Sequence, residues 1–254
     1  MSRTRLLITF AAAALAVVLP AAVALAGPGA PPTGLLWDGD AAKGTGVFDA
    51  LERAPGTITV ASMAPFGPSF RYETWDNANG MKERCESRGT KGFSLDASKL
   101  GQTFYIGWRA DLTPMPTTRG RWISFFQLHW AGAGPGGGPV TVRTLGDGQI
   151  HLQYVAPNGH LDKNIWSAPL PVGQWMSIVV GFKMTRDNSG FLQFWFNGRQ
   201  QTFSNGSMTW NGPLFKGDHI NVKWGVYRSG PNSGHAVEWV NHPRIGTTLA
   251  SVMP

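Results

Sequence analysis

Short runs of aromatic and β-branched residues, cut apart by glycine, asparagine and aspartate, constrain this chain more than any other feature. Eight such runs predict strands: residues 103–110, 122–130, 140–145, 149–155, 175–183, 191–197, 221–227 and 236–245. Between them lie Gly134-Pro135-Gly136-Gly137-Gly138, Asp147-Gly148, Asn158-Gly159, Asn188-Ser189-Gly190 and Asn197-Gly198. These residues supply the positive φ angles or local side-chain hydrogen bonds that turns need. The 33 Gly and 18 Pro suit tight turns, and the 11 Trp and 14 Phe suit short aromatic strands. With almost no helical periodicity, the pattern implies an all-β fold, a sandwich or jelly roll.

The amino terminus reads differently. Arg3 and Arg5 precede a mostly apolar run over residues 6–19 and the small-residue triplet Ala24-Leu25-Ala26, the layout of a secretory signal cleaved after residue 26. A membrane anchor is the alternative, but Pro20 interrupts the run and no basic stop-transfer flank follows. The expected organisation is a signal peptide over residues 1–26, a Gly/Pro-rich linker over 27–34 and one domain over 35–254. The product is expected to be secreted and extracellular, with no stable membrane association and as a monomer.

Removing Arg3 and Arg5 from 22 basic residues leaves 20 against 15 acidic ones, so the mature chain is about +5 and attracts polyanions. No clustered basic patch or nucleic-acid-binding motif is present, so nucleic acid is not an expected partner. An acidic polysaccharide suits both the charge and export. Cys85 is the single cysteine, which forbids an intrachain disulfide and leaves stability to the core. In a strand its side chain points opposite to those of Arg84 and Glu86, so it is expected to be buried.

Three segments place polar groups two residues apart. As strands, Arg84-Cys85-Glu86-Ser87-Arg88 sets Arg84, Glu86 and Arg88 on one face, and Phe126-Gln127-Leu128-His129 sets Gln127 with His129. In the run from Val222 to Arg228, Lys223, Gly225 and Tyr227 share a face, and Gly225 leaves space beside the phenol. Singly, each is more often structural: a salt-bridged strand face, a satisfied histidine, a tyrosine at the core edge. Together they can line one groove on a concave sheet.

In this order, the R-x-E-x-R, Q-x-H and K-x-G-x-Y segments resemble the signature regions of jelly-roll polysaccharide lyases. These include the alginate lyases, glucuronan lyases and heparin-lyase-I-like enzymes. Gly173-Gln174-Trp175 and the run from Gly190 to Gly198 likewise resemble the back-sheet hairpin of concanavalin-like β-jelly rolls. The resemblance implies that Arg84 and Gln127 bind a substrate carboxylate and that His129 neutralises it or abstracts a proton. It implies that Tyr227 is the catalytic acid, base or both, with Glu86, Arg88, Lys223 and Arg228 assigned to substrate binding. After Tyr227, Arg228-Ser229 replaces the usual Asn-Gln of alginate lyases, which turns the expectation toward a glucuronan-like or heparin-like polymer.

The chemistry has its own logic. The C5 proton of a uronate is weakly acidic because its loss pushes charge onto an existing carboxylate, so donors must stabilise the enolate-like charge that develops. Arg84, Gln127 and His129 can do so without a metal or cofactor. One phenol can take the C5 proton and protonate the C4 oxygen where both lie on one face of the sugar. Where they lie on opposite faces a second base is needed, and His129 is the candidate.

A glycoside hydrolase on the same scaffold would need two facing carboxylic acids, and no such run is evident. A non-catalytic carbohydrate-binding module would keep a basic aromatic groove without Tyr227 and His129 together. His151, His160, His219, His235 and His242 lack metal-ligand spacing. Asp38 and Asp40 could join a structural calcium site or simply form a solvated turn. Trp108, Trp122, Trp130 and Trp224 are expected mostly in the core, with one or two stacking on sugar at the groove rim.

Overall fold

Alternation of apolar and polar side chains sets the phase of every central strand. In the strand that carries Tyr227, Val222, Trp224 and Val226 are buried to one side while Asn221 and Tyr227 stay partly open on the other. A computed structural model describes residues 32–75, 83–116, 120–132, 137–159, 161–229 and 234–254. The proposed leader, most of the linker, residues 134–136 of the glycine-rich turn and His160 lie outside these.

In chain order the strands are β1 (Leu35–Asp38), β2 (Ala50–Ala54), β3 (Thr57–Met63), β4 (Gly67–Thr74), β5 (Glu83–Arg88) and β6 (Leu95–Asp96). There follow β7 (Thr103–Leu112), β8 (Ile123–Ala131), β9 (Val140–Thr144), β10 (Gln149–Val155), β11 (Asp162–Pro169) and β12 (Met176–Lys183). The last are β13 (Phe191–Phe196), β14 (Arg199–Gln200), β15 (Trp210–Asn211), β16 (His219–Arg228) and β17 (Ala236–Gly246), before a short helix α1 (Leu249–Val252). They build two antiparallel sheets. The back sheet runs β14-β13-β12-β7-β17-β4-β3, and the front sheet runs β11-β10-β9-β8-β16-β5-β2.

The eight predicted strands are all present, with ends shifted by no more than two residues. The edge strands β2 and β11 carry too many polar residues, such as Glu52, Arg53, Asp162 and Lys163, to stand out as apolar runs.

An aromatic stack joins the sheets. Trp108 of β7 stacks on Phe126 of β8 at 4.4 Å, Phe126 meets Trp224 of β16 edge-on at 5.8 Å, and Trp224 stacks on Trp37 of β1 at 5.6 Å. Phe126 and Trp224 are register partners, so burying them turns their neighbours Gln127 and Lys223 outward on the front sheet. Cys85 is buried with its thiol against the Thr57 carbonyl at 2.8 Å, and burial pushes its pKa up to about 12. It is an inert core residue.

The pairing of β16 with β8 slips between Trp224 and Tyr227. Gly225 sits in this bulge at φ 116°, and a Cβ there would lie 2.2 Å from the Cys85 carbonyl oxygen. A Gly225→Ala variant is therefore expected to lose about 1–3 kcal/mol from backbone strain alone, and more from the overlap. A urea-denaturation midpoint no lower than that of the parent would contradict this account.

Candidate active site

Each central front-sheet strand presents alternate residues to the outer side, where the cavity beside Tyr227 opens. Register partners across β5, β16, β8, β9 and β10 form a row of Arg84, Tyr227, Ser124, Arg143 and His151. A second row holds Arg88, Lys223, Gln127, Thr141 and Gln153, and His129 follows opposite Asn221. With strands spaced ~4.8 Å apart, each row extends about 19 Å, long enough for several sugar rings. The structure thus brings Arg84, Gln127, His129 and Tyr227 onto one face.

Tyr227 is framed from two sides. The Arg84 guanidinium lies 4.2 Å from its ring centroid, and Trp122 meets it edge-on at 4.9 Å. Trp122 is the rim tryptophan, whereas Trp108, Trp130 and Trp224 are buried. Beside Tyr227 opens a cavity of about 280 Å³ lined by Trp122, Ser124, Gln127, Arg143 and Gln153. A larger one of about 420 Å³ lies toward the β11 edge around His151, Trp166 and Phe203. The smaller cavity holds the candidate chemistry, because Tyr227 and Gln127 line it.

Under the groove lies a network of charges. Glu52 of β2 accepts from Lys223 Nζ at 2.7 Å, Arg84 Nη1 at 3.1 Å and Arg88 Nη1 at 3.3 Å. Burial pushes the Glu52 pKa up, but the Lys223 hydrogen bond and the three cations outweigh it and hold the carboxyl below its usual range. Glu86 is buried, which pushes its pKa up against the pull of Lys223 and Arg84. Gln127 Nε2 donates to Glu86 Oε1 at 2.5 Å, which anchors the amide and leaves its second hydrogen for the groove. Burial, then the Lys223 and Arg84 charges, push the His129 pKa down, so its imidazole is neutral near pH 7.

Three sequence-based assignments change. Arg228 is not a substrate contact: one position beyond Tyr227, it points into the sandwich, is fully buried, pairs with Glu83 and donates to the Gly234 carbonyl at 2.6 Å. Lys223 shares the outer face but is covered by its Glu52 contact, and only 2% of it is exposed. Glu86, at 1%, lies beneath Gln127 and supports that residue rather than meeting a polymer. Arg88 remains open, with 46% of its side chain exposed at the groove edge. Glu52 and Arg143 were not singled out by sequence reasoning. The alternation in Val140-Thr141-Val142-Arg143-Thr144 would have placed Arg143 outward with Thr141, but only strand pairing reveals Glu52.

The other histidines have local partners or lie apart. His151 bonds Asp147 at 2.8 Å, His242 bonds Asp38 at 2.9 Å, and His235 bonds Glu73. Among the described residues no group of three or more His, Cys, Asp or Glu could hold a metal. Asp38 is engaged by Lys43, His242 and Arg244, while Asp40 caps a 3-10 turn through the Ala42 amide.

The polysaccharide lyase family model matches residues 61–244, and the chain belongs to that family. The solved endo-β-1,4-glucuronan lyase from the fungus Trichoderma reesei superposes with a TM-score of 0.64 at 19% identity, covering 82% of this chain and 94% of that one. Alginate lyase PA1167 from Pseudomonas aeruginosa gives a TM-score of 0.51 at 19% identity, covering 74% and 86%. Alginate lyase A1-II′ gives 0.51 at 15% identity, covering 74% and 83%. No curated protein matches the sequence significantly. The chain is a jelly-roll polysaccharide lyase.

The Glu83–Arg228 pair yields a test of the Arg228 reassignment. Removing one member of a buried pair typically costs about 3–5 kcal/mol, whereas an apolar replacement of both is often near neutral. Arg228→Met is expected to lower the urea midpoint sharply, and the Glu83→Leu/Arg228→Met double variant to regain more than half the loss with substrate affinity intact. A well-folded double variant that binds substrate poorly would return Arg228 to the groove.

Proposed function

We propose that this lyase cleaves a 1,4-linked uronate polymer by β-elimination, with a glucuronan-type polymer as the preferred substrate. The observation that carries the reading is the convergence of Arg84, Gln127, neutral His129 and Tyr227 on one groove face. Glu52 and Glu86 do not form a glycosidase pair in this reading. Glu52 is committed to three cations, and Glu86 is buried under Gln127.

Arg84 and Gln127 receive the carboxylate of the sugar whose C5 proton is lost, and His129 adds a third donor. These groups stabilise the enolate-like charge as the proton leaves. In a D-glucuronate the C5 hydrogen and the C4 oxygen lie on the same face of the ring, so Tyr227 can serve both steps. As phenolate it takes the C5 proton, the C4–O bond breaks, a C4=C5 double bond forms, and the phenol returns the proton to the departing oxygen. In the C5 epimers the two groups lie on opposite faces, and His129 takes the proton instead. The steps draw on side chains alone.

Alginate and heparin-type polymers are the second reading. The Arg228 difference from the alginate pattern concerns the core rather than the groove, so it no longer separates these substrates. The order rests on shape: 94% of the Trichoderma glucuronan lyase is covered. Export through the leader at residues 1–26 is part of the same proposal, since a polymer of this kind is met outside the cell. Among the described residues no helix is long and apolar enough to cross a membrane.

Incubation with glucuronan, alginate, heparin, heparan sulfate and hyaluronan, followed by ultraviolet absorbance of the unsaturated uronate, tests the reading directly. Absorbance is expected with glucuronan first, and none with any member overturns it. Tyr227→Phe is expected to abolish turnover, and Arg84→Ala and Gln127→Ala each to cost on the order of 3 kcal/mol in kcat/KM with the fold intact. His129→Asn is expected to retain more activity on a same-face substrate than on an opposite-face one. Equal losses on both would end the division of labour.

The pH dependence has a definite sign. The His129 pKa is lowered from its usual 6.5, so the active neutral form survives below that value and is lost as pH falls through the lowered pKa. On an opposite-face substrate, where His129 is the base, the acid limb of kcat/KM is therefore expected below pH 6.5 and displaced in His129→Asn. A limb above pH 6.5 would exclude His129 as its origin.

A further inference from the structure

The outer face of the back sheet, opposite the groove, carries another polar cavity of about 280 Å³, lined in part by Asp40, Phe66, Arg109, Asn241 and His242. Its shape begins with a bulge in β17. Asn241 pairs with Arg109 and Arg244 with Gly107, so His242 and Pro243 together oppose a single β7 residue. His242 adopts φ 50°, a left-handed conformation that non-glycine residues hold only when their surroundings fix it. Asp38 and Arg244 clamp its imidazole at 2.9 and 2.8 Å, and Pro243 accepts from the Gly39 amide at 2.8 Å.

Arg109 is the unusual member. Its neighbours Trp108 and Ala110 are buried, so Arg109 points outward from the sheet. The guanidinium lies 4.3 Å from the Phe66 ring centroid and donates to Asn241 Oδ1 at 3.3 Å. The Asn241 amide is itself fixed, since Nδ2 donates to the Pro68 carbonyl at 3.1 Å and to Ser69 Oγ at 3.2 Å. Among the described residues no carboxylate forms an ion pair with Arg109. Burial and the like charge of Arg244 both disfavour its cation, pulling its pKa below the usual value. A half-buried arginine without a counter-ion lacks the compensation that such a charge normally requires.

We infer that this cavity binds a carboxylated sugar residue, with the carboxylate on Arg109, the ring against Phe66 and hydroxyls toward Asp40. Each feature narrows the class. Arginine binds a planar carboxylate in two-pronged fashion. Phe66 is 39% exposed and is backed edge-on by Trp175 at 5.2 Å, so it offers a fixed apolar face. Asp40 disfavours a free phosphate or sulfate dianion more than a singly charged carboxylate, and it accepts hydrogen bonds from sugar hydroxyls. The choice of uronate as ligand rests on the proposed substrate class. A second attachment point on the far face raises the local concentration of a long polymer at the groove without touching the chemistry.

Titration calorimetry with a glucuronic acid tetrasaccharide on the Tyr227→Phe chain, which binds without turnover, tests this. Two sites per chain are expected. Adding Arg109→Ala removes one, and adding Phe66→Ala weakens the same one at least about tenfold, while Arg84→Ala removes the other. Two sites retained with Arg109→Ala, or a single parental site lost with Arg84→Ala, overturns the inference. A single parental site lost with Arg109→Ala supports it and counts against the groove reading instead. Equal binding at the outer site by inorganic phosphate or by a carboxyl-reduced tetrasaccharide also overturns it.

Discussion

The Gly225 amide turns away from β8 at the bulge and donates to Glu238 Oε2 at 2.9 Å, across the sandwich from the back sheet. Glu238 is fully buried, and burial raises its pKa well above the carboxylate range, so it is held as the neutral acid. That form can be buried at far less cost than an ion. The net gain from such a bond is only about 0.5–1.5 kcal/mol, but an unpartnered buried amide would cost about 1–3 kcal/mol. The larger effect is geometric. The bulge lets Tyr227 align with Ser124 on one side and Arg84 on the other, while Lys223 stays opposite Gln127.

The groove floor follows from that alignment. Three cations, Arg84, Arg88 and Lys223, gather around Glu52, and Glu86 adds a buried acid whose protonation burial favours. The attraction within a buried or half-buried ion cluster largely offsets its own desolvation, so the value of this cluster lies in orientation. Lys223 holds Glu52 and Glu86 holds Gln127 in place, and Arg84 and Gln127 face outward from that base. Burial first, and then the charges of Lys223 and Arg84, keep His129 neutral near pH 7.

The sequence was most legible where the information was local. Period-two alternation located the central strands and put the residue pairs Arg84 and Arg88, Gln127 and His129, and Lys223 and Tyr227 on their correct face. The same alternation points Arg228 inward, although its place beside Tyr227 in the motif suggests the groove. Glu52 was illegible for a different reason. It comes from a short polar edge strand, and only the non-local pairing of β2 with β5 brings it beside Glu86. Burial of Lys223 likewise depends on that carboxylate arriving from far along the chain.

The front sheet ends at β2 on one side and β11 on the other, and each edge strand carries an adjacent pair of opposite charges. An unpaired strand edge is a template for another chain, and charged side chains on it discourage such pairing. Glu52 and Arg53 on β2, and Asp162 and Lys163 on β11, give the two margins mixed charge that a flat apolar strand cannot match. The polarity that hid these strands from view is also what resists fibre-like stacking of one sandwich on the next, in a protein that has no disulfide to hold its core together.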